Sequence, residues 1–280
     1  MNIALHQLSQ DIEESVQIAL KEDIGNGDIT ASLIPKDKVD EAYIITREAC
    51  VLCGQSWLNE TYKQLGGLDA INWHTEDGQY VQANTRLVTL KGNSRRLLTG
   101  ERTALNYLQL LSATATKARD YKLALGDSNI TLLDTRKTIP GLRTAQKYAV
   151  ATGGCHNHRI GLFDAYLIKE NHIAACGSIQ QAISQARQFH PDKTVEVEVE
   201  SIEQLKQALE AKADIIMLDN FSQQQLAALA DIDKGSSRYE LSGNLTVENI
   251  SAVNDMYIDY ISFGALTKHV QAIDLSFRII

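Results

Sequence analysis

The chain has 280 residues, 44% hydrophobic and 22% charged, enough to bury one large core or two smaller ones. Its formal net charge of -8 excludes broad binding to nucleic acid, whose phosphate backbone needs net positive surface. No apolar run approaches the ~18 residues that span a bilayer, and MNIALHQLSQDIEESV is not a basic stretch followed by an apolar one, so a cytoplasmic protein without membrane attachment is expected.

The N-terminal stretch to about residue 22 predicts a helix, with Leu5, Leu8, Ile12, Val16, Ala19 and Leu20 at helical spacing. EDIGNGDIT then breaks it as a helix end and turn. Short extended runs follow at Ala42–Thr46, Ile71–His74 and Arg86–Leu90, with a helix around Trp57–Leu65. They predict a small antiparallel sheet domain with little evident chemistry. Within it, Cys50 and Cys53 form CVLC; a zinc ribbon needs a second such pair, and only Cys155 and Cys176 remain, far apart. Thiols left free in a reducing cytoplasm are the simpler expectation. Ser94 to about Leu125 reads as one long helix or two in succession, and Arg102 within it has the ordinary spacing of a surface arginine.

From Ile130 onward, strand and helix alternate. The predicted strands are Ile130–Asp134, Ala165–Ile168, Thr194–Val199, Ile215–Leu218, Tyr239–Leu241 and Tyr260–Phe263. The helices between them end near Ala151 or span Ser178–Phe189, Ile202–Lys212, Gln223–Ala230 and Val247–Asn254. Ser201 with Gln204, and Ser222 with Gln225, have the spacing of capping boxes. Glu198, Asp219, Ser242 and Gly264 end successive strands at intervals of about 22 residues, a βα repeat. The pattern predicts a parallel barrel short of the usual eight strands, with a doubly wound open sheet as the alternative.

The chemistry gathers at those strand ends. Arg136, Lys137, Arg143, Lys147, Arg159 and Lys169, with His156, His158 and His172, outnumber Asp134, Asp164 and Glu170 in an otherwise acidic chain. A charge cluster is usually a solvated face, but Arg136–Lys137 and Lys169 each directly follow a predicted strand, where α/β proteins bind ligands. In TVEVEVE, alternation puts Glu196, Glu198 and Glu200 opposite Val195, Val197 and Val199; if the valines meet helices, the carboxylates face inward and need cations, metal or hydroxyls. Ser242-Gly243-Asn244 and Ser262-Phe263-Gly264-Ala265 offer backbone N–H groups to a phosphate at the late strand ends. Together they point to a phosphorylated sugar and a second anion.

EDIGNGDIT, GERTALN, LDTRKTIPGLR, GGCHNHRIGLFDAYLIKENH, VEVEVES, IIMLDNFS, ELSGN and ISFGALTKH, in this order from about Glu22 to the C-terminus, resemble the quinolinate phosphoribosyltransferase family. The resemblance implies transfer of phosphoribose from phosphoribosyl pyrophosphate to quinolinate with decarboxylation, giving nicotinate mononucleotide for NAD synthesis, with Mg2+ as cofactor. It implies an N-terminal α/β sandwich domain, residues 1–112 joined by the C-terminal segment 269–280, and an incomplete six- or seven-stranded parallel α/β barrel over 113–268. It also implies a homodimer, or a hexamer of such dimers, in which Arg102 reaches the partner's site. By motif, Arg136, His158, Arg159 and Lys169 grip the quinolinate carboxylates, with Thr135, Lys137 and His172 nearby. Glu198 and Asp219 hold the ribose hydroxyls and magnesium, and Ser242, Gly243, Phe263 and Gly264 take the 5-phosphate. Lys137, Lys169, Glu198 and Asp219 are then the catalytic set.

Two positions depart from the family pattern: Asn244 where many members have a second glycine, and LSATAT at 111–116 in place of LSGIAT. Neither touches a charged site residue. Three other readings follow from the residues: a relative acting on another acceptor, a non-catalytic phosphosugar-binding protein, and a zinc protein built on Cys50, Cys53, Cys155 and His158.

Overall fold

Each short run of alternating residues seen in the sequence becomes a strand in the computed structural model, which describes residues 8–243, 245–253 and 257–280. The chain divides into two units. The first takes the chain up to Arg119, Thr138–Gly154 and Ala265–Ile280, and the second takes Asp120–Lys137 and Cys155–Gly264.

In the first unit, α1 (Ser9–Ile24) buries Ile12, Val16 and Leu20 along one stripe. The predicted start of this helix lies outside the described residues. β1 (Val39–Thr46), β2 (Cys50–Val51), α2 (Gln55–Gln64), β3 (Ala70–Trp73), β4 (Tyr80–Val81), β5 (Arg86–Asn93) and α3 (Ser94–Leu125) follow. β12 (Leu275–Ile279) returns to pair antiparallel with β1, giving the sheet order β12-β1-β5-β3. Ile44, Leu87, Leu90, Leu58, Tyr62, Leu97 and Leu108 form its core. The CVLC segment is structural: the Val51 N–H donates to Thr116 Oγ1 and the Cys53 N–H to Ser112 Oγ. Those hydroxyls are two of the three polar side chains of LSATAT, so this motif stitches the CVLC segment to α3.

In the second unit, β6 (Thr131–Leu133), β7 (Tyr166–Ile168), β8 (Val195–Val199), β9 (Ile215–Asp219), β10 (Arg238–Ser242) and β11 (Tyr260–Ser262) form one parallel sheet. Their order is β6-β11-β10-β9-β8-β7. Successive strands from β7 to β11 are neighbours and the first strand closes on the last, as in a barrel left open between β6 and β7. The segment 155–158 lies along β6 there: the His156 N–H donates to Leu132 O, and the Asp134 N–H to His156 O. The doubly wound alternative, with its midway reversal, does not occur.

Connecting the strands are α4 (Arg143–Thr152), α5 (Glu170–Cys176), α6 (Ile179–Phe189), α7 (Ile202–Glu210), α8 (Gln223–Ala227) and α9 (Ala265–Lys268). Helix α5 has no counterpart in the sequence reading, because its seven residues are too short to show a periodicity and none is buried. Gln223–Ala230 ends early as an α-helix and tightens into a 3-10 turn over Ala228–Asp231. The helix expected at Val247–Asn254 is a 3-10 turn over Ile250–Val253, its last residue lying outside the described ones. The Ser222–Gln225 capping box is complete. At Ser201 it is half made: Ser201 Oγ accepts from the Gln204 N–H, but Gln204 Oε1 accepts from Glu200 N–H instead. Among the described residues no helix is long and apolar enough to cross a membrane.

Helix α4 lies in the first unit for a local reason. A Cβ on Gly153, at its end, would come 2.2 Å from Ala115 O and 2.6 Å from Ala118 Cβ on α3. The backbones touch only because this residue is glycine. Gly153→Ala is therefore expected to cost about 1–3 kcal/mol by overpacking, read as a lower denaturation midpoint with an unchanged m-value; wild-type stability would show that α3 and α4 can part freely.

Candidate active site

The strand ends of the second unit carry most of the residues singled out in the sequence. Thr135, Arg136 and Lys137 follow β6, Lys169 follows β7, Glu198 sits near the end of β8, Asp219 ends β9, Ser242 and Gly243 end β10, and Phe263 and Gly264 follow β11. Arg102 belongs to the first unit, exposed on α3. Of the basic residues gathered in the sequence, Arg143 and Lys147 belong to α4 in the first unit, where Lys147 is 0% exposed. Lys147 lies among the buried residues of α4 with Ala145, Gln146, Ala149 and Val150.

Arg136 and Arg159 remain the most telling pair. Each keeps a buried Nε with no hydrogen-bond partner. Burial, followed by the charge of Arg136, lowers the pKa of Arg159 below its ordinary value, so the two guanidiniums repel one another. Arg159 spends one terminal nitrogen on the carbonyl of Ala165. Two half-dry guanidiniums with unused donors call for a multiply charged anion between them.

The loop that carries Arg159 is pinned by Asp134, which is 0% exposed. One of its oxygens accepts from Asn157 Nδ2 at 2.7 Å and the other from the His158 N–H at 2.9 Å. Downstream, the Asp164 carboxylate accepts from the N–H groups of Ile160 and Gly161. The DTRK and CHNHRIGLFD motifs thus hold each other.

His158, expected among the residues that grip an anion, has both ring nitrogens against protein groups. Its Nδ1 accepts the Arg159 backbone N–H at 2.7 Å, and its Nε2 lies 2.9 Å from Glu196 Oε2 and 3.5 Å from Glu240 Oε2. His172 also turns to the backbone: its Nδ1 accepts the Lys169 N–H at the start of α5.

The alternation read in TVEVEVE holds for two of its three glutamates. Val195, Val197 and Val199 are buried, Glu196 is 2% exposed, Glu198 is half-buried, and Glu200 lies past the strand end in solvent. Lys169 Nζ is paired with Glu198. Asp219 accepts from Asn220 Nδ2. The sequence reading gives Glu196 only as an inward-facing carboxylate without a role and does not single out Glu240. The signal was available in ELS, since Glu240 lies two residues before Ser242 on β10 and so on the same face. Glu240 is 0% exposed; burial, then Glu196, raises its pKa, while His158 and the Ser262 hydroxyl favour its charged form and Glu198 opposes it.

At the late strands, Gly243 has φ +99°, and a Cβ there would lie 2.2 Å from Asn220 Oδ1, so both backbone and space require glycine. A Cβ on Gly264 would meet the Lys137 side chain at 2.8 Å, bringing the β6 and β11 ends together. Phe263 is 3% exposed and packs edge-on against Tyr121, so only its backbone can serve a ligand. Helix dipoles add little here, because α9 has four residues and the 250–253 turn is 3-10. Asn244 lies outside the described residues.

The cysteines take no part. Burial raises the pKa of each of Cys50, Cys53 and Cys155, that of Cys155 to about 12, which disfavours thiolate ligands. Among the described residues the group able to surround a cation is His158, Glu196 and Glu240, with no cysteine in it.

Fold and site together define an α/β-barrel protein with cationic side chains gathered at its strand ends. Residues 28–112 match the N-terminal domain of quinolinate phosphoribosyl transferase, and residues 114–278 its C-terminal domain. The chain is 39% identical over 259 residues to a probable nicotinate-nucleotide pyrophosphorylase [carboxylating] of Bacillus subtilis, covering 92% of this chain and 90% of that one. It is 38% identical to the Mycobacterium leprae nicotinate-nucleotide pyrophosphorylase [carboxylating], over 94% of this chain and 95% of the other. The structure of the nicotinate-nucleotide pyrophosphorylase from Francisella tularensis superposes with a TM-score of 0.91 at 48% identity, covering 97% and 96%. The chain belongs to the quinolinate phosphoribosyltransferase family.

Because Glu240 has a raised pKa in the folded protein, the native state keeps a proton that the unfolded chain releases as pH climbs past the ordinary carboxylate range. The stability this provides is complete in acid and declines with rising pH. Glu240 faces Glu196 and Glu198 from β8, His158 and Ser262. Glu240→Gln cannot ionise, so relative to wild type it is expected to melt progressively higher between about pH 5 and about pH 8; a constant difference across that range would contradict a neutral Glu240.

Proposed function

We propose that this chain transfers phosphoribose from phosphoribosyl pyrophosphate to quinolinate with loss of carbon dioxide, yielding nicotinate mononucleotide and pyrophosphate for NAD synthesis. The observation that carries the reading is the Arg136–Arg159 pair, two mutually repelling guanidiniums with unpartnered buried Nε atoms. A vicinal dicarboxylate supplies two charges at the spacing two guanidiniums can share. Arg136, Arg159 and Lys169 orient the acceptor; Lys137 faces the leaving pyrophosphate; Ser242, Gly243 and Gly264 offer backbone N–H groups to the 5-phosphate.

In the transfer, the pyridine nitrogen bonds to the ribose C1 as the C1–O bond to pyrophosphate breaks. Positive charge builds on the sugar, and the carboxylates of Glu198 and Asp219, at the ends of adjacent strands, are the counter-charge. Their hard oxygens on neighbouring strands also suit magnesium, which keeps several waters and needs only one or two carboxylates. When bound, the ion neutralises the departing pyrophosphate. The alkylated ring is a pyridinium, so the carboxylate next to its nitrogen leaves as carbon dioxide and the ring carbon takes a proton. The protein's task is chiefly orientation. Before substrate arrives, Lys169 and Glu198 neutralise each other, so a dicarboxylate must draw the ammonium away while the sugar takes the carboxylate.

We further propose that Arg102 completes the site of a second copy in a homodimer. Its helix is braced by Asp28 of EDIGNGDIT, whose carboxylate accepts from the N–H groups of Thr30 and Ala31 and from Thr99 Oγ1, one turn before Arg102. The same turn leaves Ile29 86% and Leu33 84% exposed, a surface that calls for cover. On the other unit, Leu162 and Phe163, just beyond Arg159, are exposed as well.

Purified protein with quinolinate, phosphoribosyl pyrophosphate and magnesium is expected to release nicotinate mononucleotide and carbon dioxide together, and nicotinate as acceptor to give nothing. Arg136→Ala or Arg159→Ala is expected to lower kcat/KM for quinolinate about 100-fold or more. Product from nicotinate instead would sink the dicarboxylate reading. Mixing Arg102→Ala with Arg136→Ala subunits is expected to restore about a quarter of wild-type activity per dimer site; verified mixed dimers that stay inactive would exclude a shared site.

A further inference from the structure

The cluster His158–Glu196–Glu240 adjoins Arg159 through the His158 ring, and its two glutamates have no part in the reaction as written above. Its geometry first excludes one role. A backbone N–H can only donate, so the 2.7 Å contact from Arg159 N commits the Nδ1 lone pair of His158. A cation among these three side chains would need the Nε2 lone pair too, and a ring with both lone pairs in use is an imidazolate anion. A proton on Nε2, shared with Glu196 at 2.9 Å, satisfies the same atoms without that cost.

The same contacts bear on the second role, that of a charged histidine gripping substrate. An imidazolium donates from both nitrogens, and Nδ1 here faces a donor. We infer that His158 is a neutral imidazole protonated on Nε2, and that Glu196, acting through it, is a positioning residue that aims the Arg159 guanidinium at the acceptor. This rests on the dicarboxylate reading for what Arg159 holds, though not for the state of the ring.

The chain of contacts runs in one direction. Glu196 projects from β8, between β9 and β7, where Val195 and Val197 on either side of it are 0% exposed and fix its backbone. It holds Nε2; Nδ1 holds the first N–H of the Arg159 residue; Asp134 holds the N–H before it at 2.9 Å. Arg159 thus enters the site with its backbone fixed at two successive amides, while its Nε still lacks a partner. Glu240 stands 3.5 Å from the same imidazole nitrogen, a second acceptor for one proton. With Glu240 uncharged, only Glu196 competes for the Nε2 proton, and the ring is held in one orientation. The device leaves the guanidiniums as the charge on the acceptor's side, undiluted by an imidazolium.

Two readouts test it. Long-range proton–nitrogen correlation spectra of the full-length protein labelled in histidine, with the His158 signal identified by its loss in His158→Gln, are expected to show a protonated Nε2 and an unprotonated Nδ1. Saturating quinolinate is expected to leave that pattern in place. Protonation of both nitrogens, with or without quinolinate, overturns the proposal, and the ligand-free spectrum decides this even if the protein turns over another acceptor. Second, Glu196→Gln keeps an acceptor for Nε2–H without charge, whereas Glu196→Ala has neither. The quinolinate KM is expected to rise about tenfold or more in Glu196→Ala, but no more than about threefold in Glu196→Gln, with kcat and the phosphoribosyl pyrophosphate KM changing less. Equal losses in the two variants would mean that charge on the histidine is what binds, and no loss in either would mean that the ring positions nothing; each result overturns the inference.

Discussion

Between β6 and β7 the barrel has no strand pairing, and what stands in for it is the carboxylate of Asp134 at the end of β6, fully buried and saturated by the Asn157 side chain and the His158 N–H. A buried carboxylate is tolerable only with such donors. Here both donors come from the segment that lies along β6 at this open edge, adding to its backbone bonds. The bonds therefore seal the barrel and deliver Arg159 in the same stroke. Arg136 lies two residues beyond Asp134 on the other side of the same anchor, so the two guanidiniums owe their proximity to one side chain.

The charges around that anchor divide into pairs that cancel and one that does not. Lys169 meets Glu198. Glu196 and Glu240 share the polar end of one imidazole, and burial favours a proton on Glu240. Arg136 and Arg159 are left facing each other with donors unused. The unused donors of the guanidiniums are open to an anion, whereas Lys169 has to part from Glu198 to reach one.

The sandwich unit contributes support of another kind. Its core is aliphatic and its polar motifs serve the backbone: Ser112 and Thr116 hold β2, and Asp28 holds the turn before α3 and Thr99 on α3. Nothing in these bonds is chemical. They tie α3, the helix on which Arg102 lies, to the strand and turn beside it.

The sequence by itself determined the βα repeat, because strand ends at near-constant spacing and serine caps are local signals, and it determined the strand-end residues, since period two decides which side chain faces inward. It also showed the gathering of cations after β6 and β7. Only the tertiary structure buried Lys147 on α4 and packed Phe263 against Tyr121. Only it brought Glu196, Glu240 and His158, from two strands and a loop far apart in the chain, around one nitrogen. The reason is the range of the interaction: propensity and alternation act between residues a few places apart, whereas which nitrogen of a histidine holds the proton depends on partners that meet only once the barrel has formed.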